Sequence, residues 1–162
     1  MLGSDKGLLQ LHEKPLLAWV LESIAPQVDE ILISANRNIA TYEIFGYPVL
    51  LDASPDFKGP LAGLLRGLEI ATHPFVLCVP CDTPFLPFNL VERLFCRLEE
   101  AQAQIAVAAT DTHIHRTVCL CRRDLACNLA AYIAQGGRKV GAWQETLNNT
   151  QELFEETDNF LN

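Results

Sequence analysis

The chain is short of basic residues, long apolar runs and familiar phosphate loops, and each shortage closes off a class of function. It has 12 Lys and Arg against 20 Asp and Glu over 162 residues, a formal net charge of −8. Such an acidic chain repels a phosphate backbone, so nucleic acid is not an expected partner. A local pocket can still oppose the global field and take a small phosphorylated ligand. No apolar run approaches the ~20 residues that a membrane helix needs, and no signal-peptide pattern opens the chain. A cytoplasmic protein with no membrane partner is the expectation. GxxxxGK[ST] and GxGxxG are both missing, which removes the two commonest glycine-rich nucleotide cradles. There is no internal repeat, low-complexity tract or linker. At 49% hydrophobic the length suits one domain, residues 1–162, with a substantial core.

Cysteine is present instead, at Cys78, Cys81, Cys96, Cys119, Cys121 and Cys127. Without a secretion signal, reduced thiols are expected. Cys78 and Cys81 form CxxC, Cys119 and Cys121 form CxC, and His113 and His115 stand nearby, which leaves a small zinc protein as one reading. Buried small side chains on strands are the favoured one, because strand residues three apart point to opposite faces.

The hydrophobic pattern alternates between helix and strand. Helices are expected over 15–25, 39–46, 61–72, 89–101, 124–135 and 138–147, from apolar spacing of three and four. Short apolar runs at 30–36, 48–52, 75–80, 104–110 and 116–122 read as strands, and 53–60 as a loop. This alternation indicates an α/β protein, a Rossmann-like open and mostly parallel sheet with helices on both faces. Ligands in such sheets sit beyond the carboxyl ends of the strands. Ser34 to Asn36, Asp52 and Asp82 fall at three of those ends.

Three stretches carry candidate chemistry. In "LGSDKGLL" Gly3 and Gly7 bracket Lys6, so that a lysine and exposed N–H groups can approach a phosphate; a solvated turn lysine reads equally well. In "DFKGPLAGLLRGL" Gly63 leaves room either for a flat base or for close helix–sheet packing. In "CVPCDTPFLP" Asp82 follows an apolar strand. It suits a Mg²⁺ ion that takes one or two carboxylates and completes its shell with phosphate and water, and equally a turn carboxylate that caps backbone N–H groups.

Together "SDKGLLQLHEKPLLAWV", "ILISANRN", "GPLAGLLRGL", "CVPCDTPFLP", "HIHRTV" and the closing "NFLN" resemble the molybdenum cofactor guanylyltransferase (MobA) family over essentially the whole chain. The resemblance implies a nucleotidyltransferase α/β fold. It also implies transfer of GMP from GTP to molybdopterin (Mo-molybdopterin) with release of pyrophosphate, and a need for Mg²⁺. By position it makes Lys6 the phosphate-binding lysine and Asp82 the ligand of Mg²⁺ and nucleotide. Ser34 and Asp52 become GTP contacts, and His113 and His115 fall near the pterin side, although solvated polar residues ahead of a strand are the favoured reading of these two over a catalytic one. Partners would be GTP, molybdopterin, and molybdoenzymes or other cofactor-assembly proteins. Two positions depart from the family pattern: Ser34 stands where Asn is usual, and Arg116 where Pro is frequent. A hydroxyl keeps one hydrogen bond but not an amide's paired donor and acceptor.

The chemistry is consistent with these residues. Nucleotidyl transfer needs charge neutralisation and in-line positioning more than covalent help, and a substrate phosphate is an ionised nucleophile that requires no general base. The resemblance also implies a strand and an LAGGxxxR-type loop ahead of Lys6, and a longer segment after "NFLN". On that basis the chain is expected to be incomplete at both ends, to lack the first central strand, and to turn over GTP weakly. Other readings are a related CTP or sugar-phosphate nucleotidyltransferase and a non-catalytic molybdopterin- or partner-binding fragment.

Overall fold

The structure, a computed structural model, describes residues 5–52, 59–155 and 160. The expected loop at 53–60 and the closing "NFLN" therefore lie mostly outside the described residues, as do Gly3 and Ser4.

The helices follow the apolar spacing. α1 (Leu16–Ile24) starts directly after Pro15 and buries Leu17, Val20 and Ile24 along one stripe. α2 (Ile39–Glu43) is a single turn that buries Tyr42. α3 (Pro60–Ile70) opens on a proline, which suits a first helical position, and buries Leu61, Leu64 and Leu68. α4 (Leu90–Glu100) buries Leu90, Leu94 and Leu98. Its amino end is capped from a distance: the Val91 N–H donates to Gln27 Oε1 at 3.0 Å. α5 (Ala126–Ala134) and α6 (Val140–Glu145) complete the helices of the described residues.

Eight strands are present among them. β1 (Gln10–Leu11) and β2 (Lys14–Pro15) form a small hairpin, turned through His12 and Glu13 at positive φ. β3 (Ile33–Ser34) and β4 (Val49–Leu50) pair in parallel. β5 (Phe75–Cys78), β6 (Ile105–Ala109), β7 (Ile114–Arg122) and β8 (Asn149–Leu153) form one sheet in the order β5-β7-β6-β8. β5, β6 and β8 run one way and β7 the other. β7 is reversed because only four residues, 110–113, join it to β6, enough for a hairpin and too few for a crossover.

β6 shows how the sheet divides the core. Ile105 and Val107 face α3, α5 and α6 on one side; Ala106 and Ala108 face α1 and α4 on the other, the two-residue period of a strand. Two expectations needed extension. The hairpin β1–β2 was not foreseen, since it rests on a turn without glycine. Nor was β8, whose "NTQEL" offers little apolar signal and owes its strand form to the parallel ladder with β6. Among the described residues, no helix is long and apolar enough to cross a membrane.

Candidate active site

The site forms where β3, β4 and β5 end. The turn that carries Lys6 closes through Leu8 N–H to Asp5 O at 3.1 Å and Leu9 N–H to Lys6 O at 3.2 Å. Gly7 is buried beneath it. A Cβ there would stand 2.9 Å from Tyr42 Oη and 3.1 Å from Cys81 Sγ, so only glycine lets the turn lie this low. Lys6 then reaches across the rim: its Nζ is 3.0 Å from Asp82 Oδ2. Asp82 is 8% exposed and sits in the turn after β5, while Lys6 remains open to solvent. The two candidate residues thus meet at one point.

Asp5, the neighbour of Lys6, is tied in three ways. Tyr42 Oη donates to Oδ1 at 2.5 Å, Asn38 Nδ2 donates to Oδ2 at 3.0 Å, and Arg37 Nε lies 3.6 Å from Oδ2. Burial raises the Tyr42 hydroxyl well above its ordinary pKa, and its hydrogen bond to Asp5 adds to the effect. The phenol therefore stays protonated and remains a donor. Burial likewise pushes the Cys81 thiol up, helped by the Asp82 and Asp5 carboxylates.

Asp52 is held by Asn36 through a paired contact. Asn36 Nδ2 donates to Asp52 Oδ2 at 2.6 Å, and the Asp52 N–H donates to Asn36 Oδ1 at 2.9 Å. The other carboxylate oxygen, Oδ1, is buried and has no hydrogen-bond partner among the described residues. Ser34 stands beside Gly63, where a Cβ would approach Ser34 Oγ to 2.7 Å; close helix–sheet packing thus accounts for this glycine. Lys6, Ser34, Asp52 and Asp82 all line one cavity of about 1080 Å³.

The remaining candidates lie elsewhere. His113 and His115 do not line the cavity. His115 stacks on Phe160 with ring centroids 4.6 Å apart, and its Nε2 is 3.4 Å from Thr110 Oγ1. Arg116 bonds to Glu145 at 3.1 Å and to the buried Gln144, a tie between β7 and α6. Cys78 and Cys119 face each other between β5 and β7 and join Cys121 in one core, whereas Cys81 packs into another beside Leu17 and Tyr42. Among the described residues, no group of three or more His, Cys, Asp or Glu is arranged to hold a metal. A single carboxylate such as Asp82 still fits a hard cation whose other ligands are phosphate oxygens and water.

Sequence reasoning missed Asp5, Arg37, Asn38 and Tyr42. Asp5 was visible in the DKG triplet, but Tyr42 reads as an apolar residue on a helix, and nothing local pairs it with a residue so distant in the chain.

An α/β sheet whose strand ends gather a lysine, three carboxylates and amide groups around one cavity has the architecture of a nucleotidyltransferase. Solved structures share it. Molybdopterin-guanine dinucleotide biosynthesis protein A from Archaeoglobus fulgidus superposes with a TM-score of 0.74 at 21% identity, over 93% of this chain and 76% of that one. The 2-C-methyl-D-erythritol 4-phosphate cytidylyltransferase of Thermus thermophilus superposes with a TM-score of 0.70 at 22% identity, over 98% and 87%. Sequence relationships narrow the class. A profile for the MobA-like NTP transferase domain matches residues 1–149. The molybdenum cofactor guanylyltransferase of Ralstonia nicotianae is 42% identical over 99% of this chain and 83% of its own length; that of Burkholderia orbicola is 47% identical over 99% and 82%. The chain belongs to the MobA-like NTP transferase family, whose members are nucleotidyltransferases and generally use a divalent metal.

Proposed function

We propose that this chain transfers GMP from GTP to the terminal phosphate of molybdopterin, forming the guanine dinucleotide cofactor and pyrophosphate, with Mg²⁺ as the metal. The observation that carries the reading is the junction of Lys6 and Asp82 at 3.0 Å on the rim of a large cavity. Two relatives over 40% identical across nearly the whole chain carry the name of this activity.

The roles follow from charge and exposure. Asp82 is the metal ligand and Lys6 its counter-ion until phosphates arrive. The exposed lysine is then free to move from carboxylate to phosphate, where it offsets charge on the departing pyrophosphate. Mg²⁺, when bound, supplies further positive charge beside the phosphates. Asp52 Oδ1, buried and without a partner among the described residues, is an acceptor for an N–H or O–H of the nucleoside, since such an orphan costs roughly 1–3 kcal/mol until it is paired. Ser34 and Asn36 flank it, one open to the nucleotide and the other committed to holding Asp52. The attacking phosphate is already ionised and requires no base from the protein.

Calorimetric titration of the purified chain with GTP, with and without Mg²⁺, tests the binding, and pyrophosphate release on adding molybdopterin tests the transfer. GTP affinity that vanishes with chelator, together with release of one pyrophosphate per GTP, is the expected result. Mg²⁺-independent binding, or a preference for CTP, would overturn it.

A further inference from the structure

Of the lysines and arginines among the described residues, Lys6 and Arg37 line the cavity, and its carboxylates outnumber them. A nucleoside triphosphate brought to such a wall carries more negative charge than a lysine and a divalent ion offset. Nucleotidyl transfer depends on that offset. Lys6 is already placed against Asp82, which leaves Arg37 to account for.

Arg37 stands in the turn between β3 and α2, and the residues on either side of it are pinned. Asn36 holds Asp52 through its paired contact. Asn38, at a φ of 54°, donates from Nδ2 to Asp5 Oδ2 at 3.0 Å. The guanidinium between them is loosely held. Its contact among the described residues is the pair with Asp5, where Nε lies 3.6 Å from Oδ2, beyond hydrogen-bond reach. The side chain is 56% exposed, and an exposed pair of this kind contributes ~0–1 kcal/mol. Nor does Asp5 depend on it, because Tyr42 donates to Oδ1 and Asn38 to Oδ2. Arg37 can therefore leave Asp5 at little cost while the two asparagines keep its backbone in place. The fork of its guanidinium suits a bidentate anion such as phosphate. Asp5 draws that fork to the side of its neighbour Lys6, which meets the leaving group, and away from Asp52, which meets the nucleoside.

We propose that Arg37 is a second phosphate-binding residue, whose guanidinium passes from Asp5 to the β- and γ-phosphates of bound GTP and joins Lys6 on the group that departs. As the attacking phosphate oxygen forms its bond to the α-phosphorus, the bond from that phosphorus to the bridging oxygen breaks. The electron pair of the broken bond leaves on pyrophosphate, and Arg37 offsets its charge. The inference rests on the guanylyltransferase reading of the site and adds a residue to it.

Calorimetric titration of the full chain with GTP, pyrophosphate and GMP, each with Mg²⁺, tests it in the parent, Arg37→Ala and Arg37→Lys. Arg37→Ala should weaken GTP and pyrophosphate by about tenfold or more and leave GMP unchanged. Arg37→Lys keeps the charge and loses the fork, so it should recover part of the loss. A role confined to the shape of the turn gives a different pattern: loosening Asn36 and Asp52 would weaken GMP as much as GTP. That parallel loss, or equal GTP affinity in the parent and Arg37→Ala, would overturn the assignment and leave the guanylyltransferase reading standing. A parent that binds no GTP would overturn both.

Discussion

Around β5 to β8 the described residues include two buried apolar clusters, one of twelve residues and one of eleven, while the cluster around β3 and β4 has three, Leu17, Ile33 and Tyr42. The second region makes up the difference with polar ties: Tyr42 and Asn38 to Asp5, Asn36 to Asp52, Arg37 to Asp5. The candidate site lies along the boundary, with Asp82 delivered from the apolar half and Lys6 from the polar half. A rigid sheet thus fixes the carboxylate, and a lightly cored flank carries the groups that must adjust to a ligand.

The same substitution on each side measures that asymmetry. Leu98→Ala, at 1% exposure in the twelve-residue cluster, should cost near the top of the ~2–5 kcal/mol range for buried leucines. Leu17→Ala, with fewer neighbours to leave a cavity, should fall near its bottom. Urea unfolding of both variants gives the comparison; equal losses would mean that the two halves share one core.

Asp82→Asn should do the reverse, touching function and sparing the fold. Turnover is expected to fall about a hundred- to a thousand-fold, with Tm within about 3 °C of the parent, because the lysine it leaves behind is already solvated. Steady-state pyrophosphate release and calorimetry read the two numbers separately. A large drop in Tm with a small drop in rate would return Asp82 to the role of a turn carboxylate. Tyr42→Phe comes next in size. Losing the bond to Asp5 should cost about 1 kcal/mol, seen as a several-fold rise in KM for GTP with kcat nearly unchanged, since Tyr42 acts only through Asp5 on the turn that carries Lys6.

How much of this was visible in the sequence depends on distance along the chain. α4 announced itself through Leu90, Leu94 and Leu98, and β6 through its unbroken apolar run, because both patterns are local. The strand-end rule put Asp82 on the rim, whereas its meeting with Lys6 was legible only through the family resemblance. Asp5 with Tyr42 obeys no such rule, and neither element advertises the pair. β8 was invisible for a related reason: its strand form depends on β6 and not on its own side chains. Ser34 shows a middle case, recognisable as a strand-end hydroxyl while its fit against Gly63 required the coordinates.

The smallest effect concerns pH and His115, near the carboxyl end of β6 and outside the cavity lining. Burial against Phe160, with the neighbouring His113 adding to it, holds His115 below the ordinary histidine pKa. The folded protein therefore takes up that proton later than the unfolded chain does as pH falls. The unfolded state binds more protons in the window below its ordinary value of about 6.5, and stability declines with falling pH there. The contribution is fully present above that window and lost as the pH passes down through the folded-state pKa. His115→Gln removes the group, so the fall in stability between pH 7.5 and about 5 should be shallower in the variant, whatever constant offset the lost ring stack introduces. Urea midpoints at several pH values give the two slopes. Identical slopes would show that His115 titrates alike in both states and that its stack on Phe160 shields it from nothing. A shallower slope would place a titrating group in the well-packed half, outside the cavity lining, whose effect on stability leaves GTP binding unchanged over the same range.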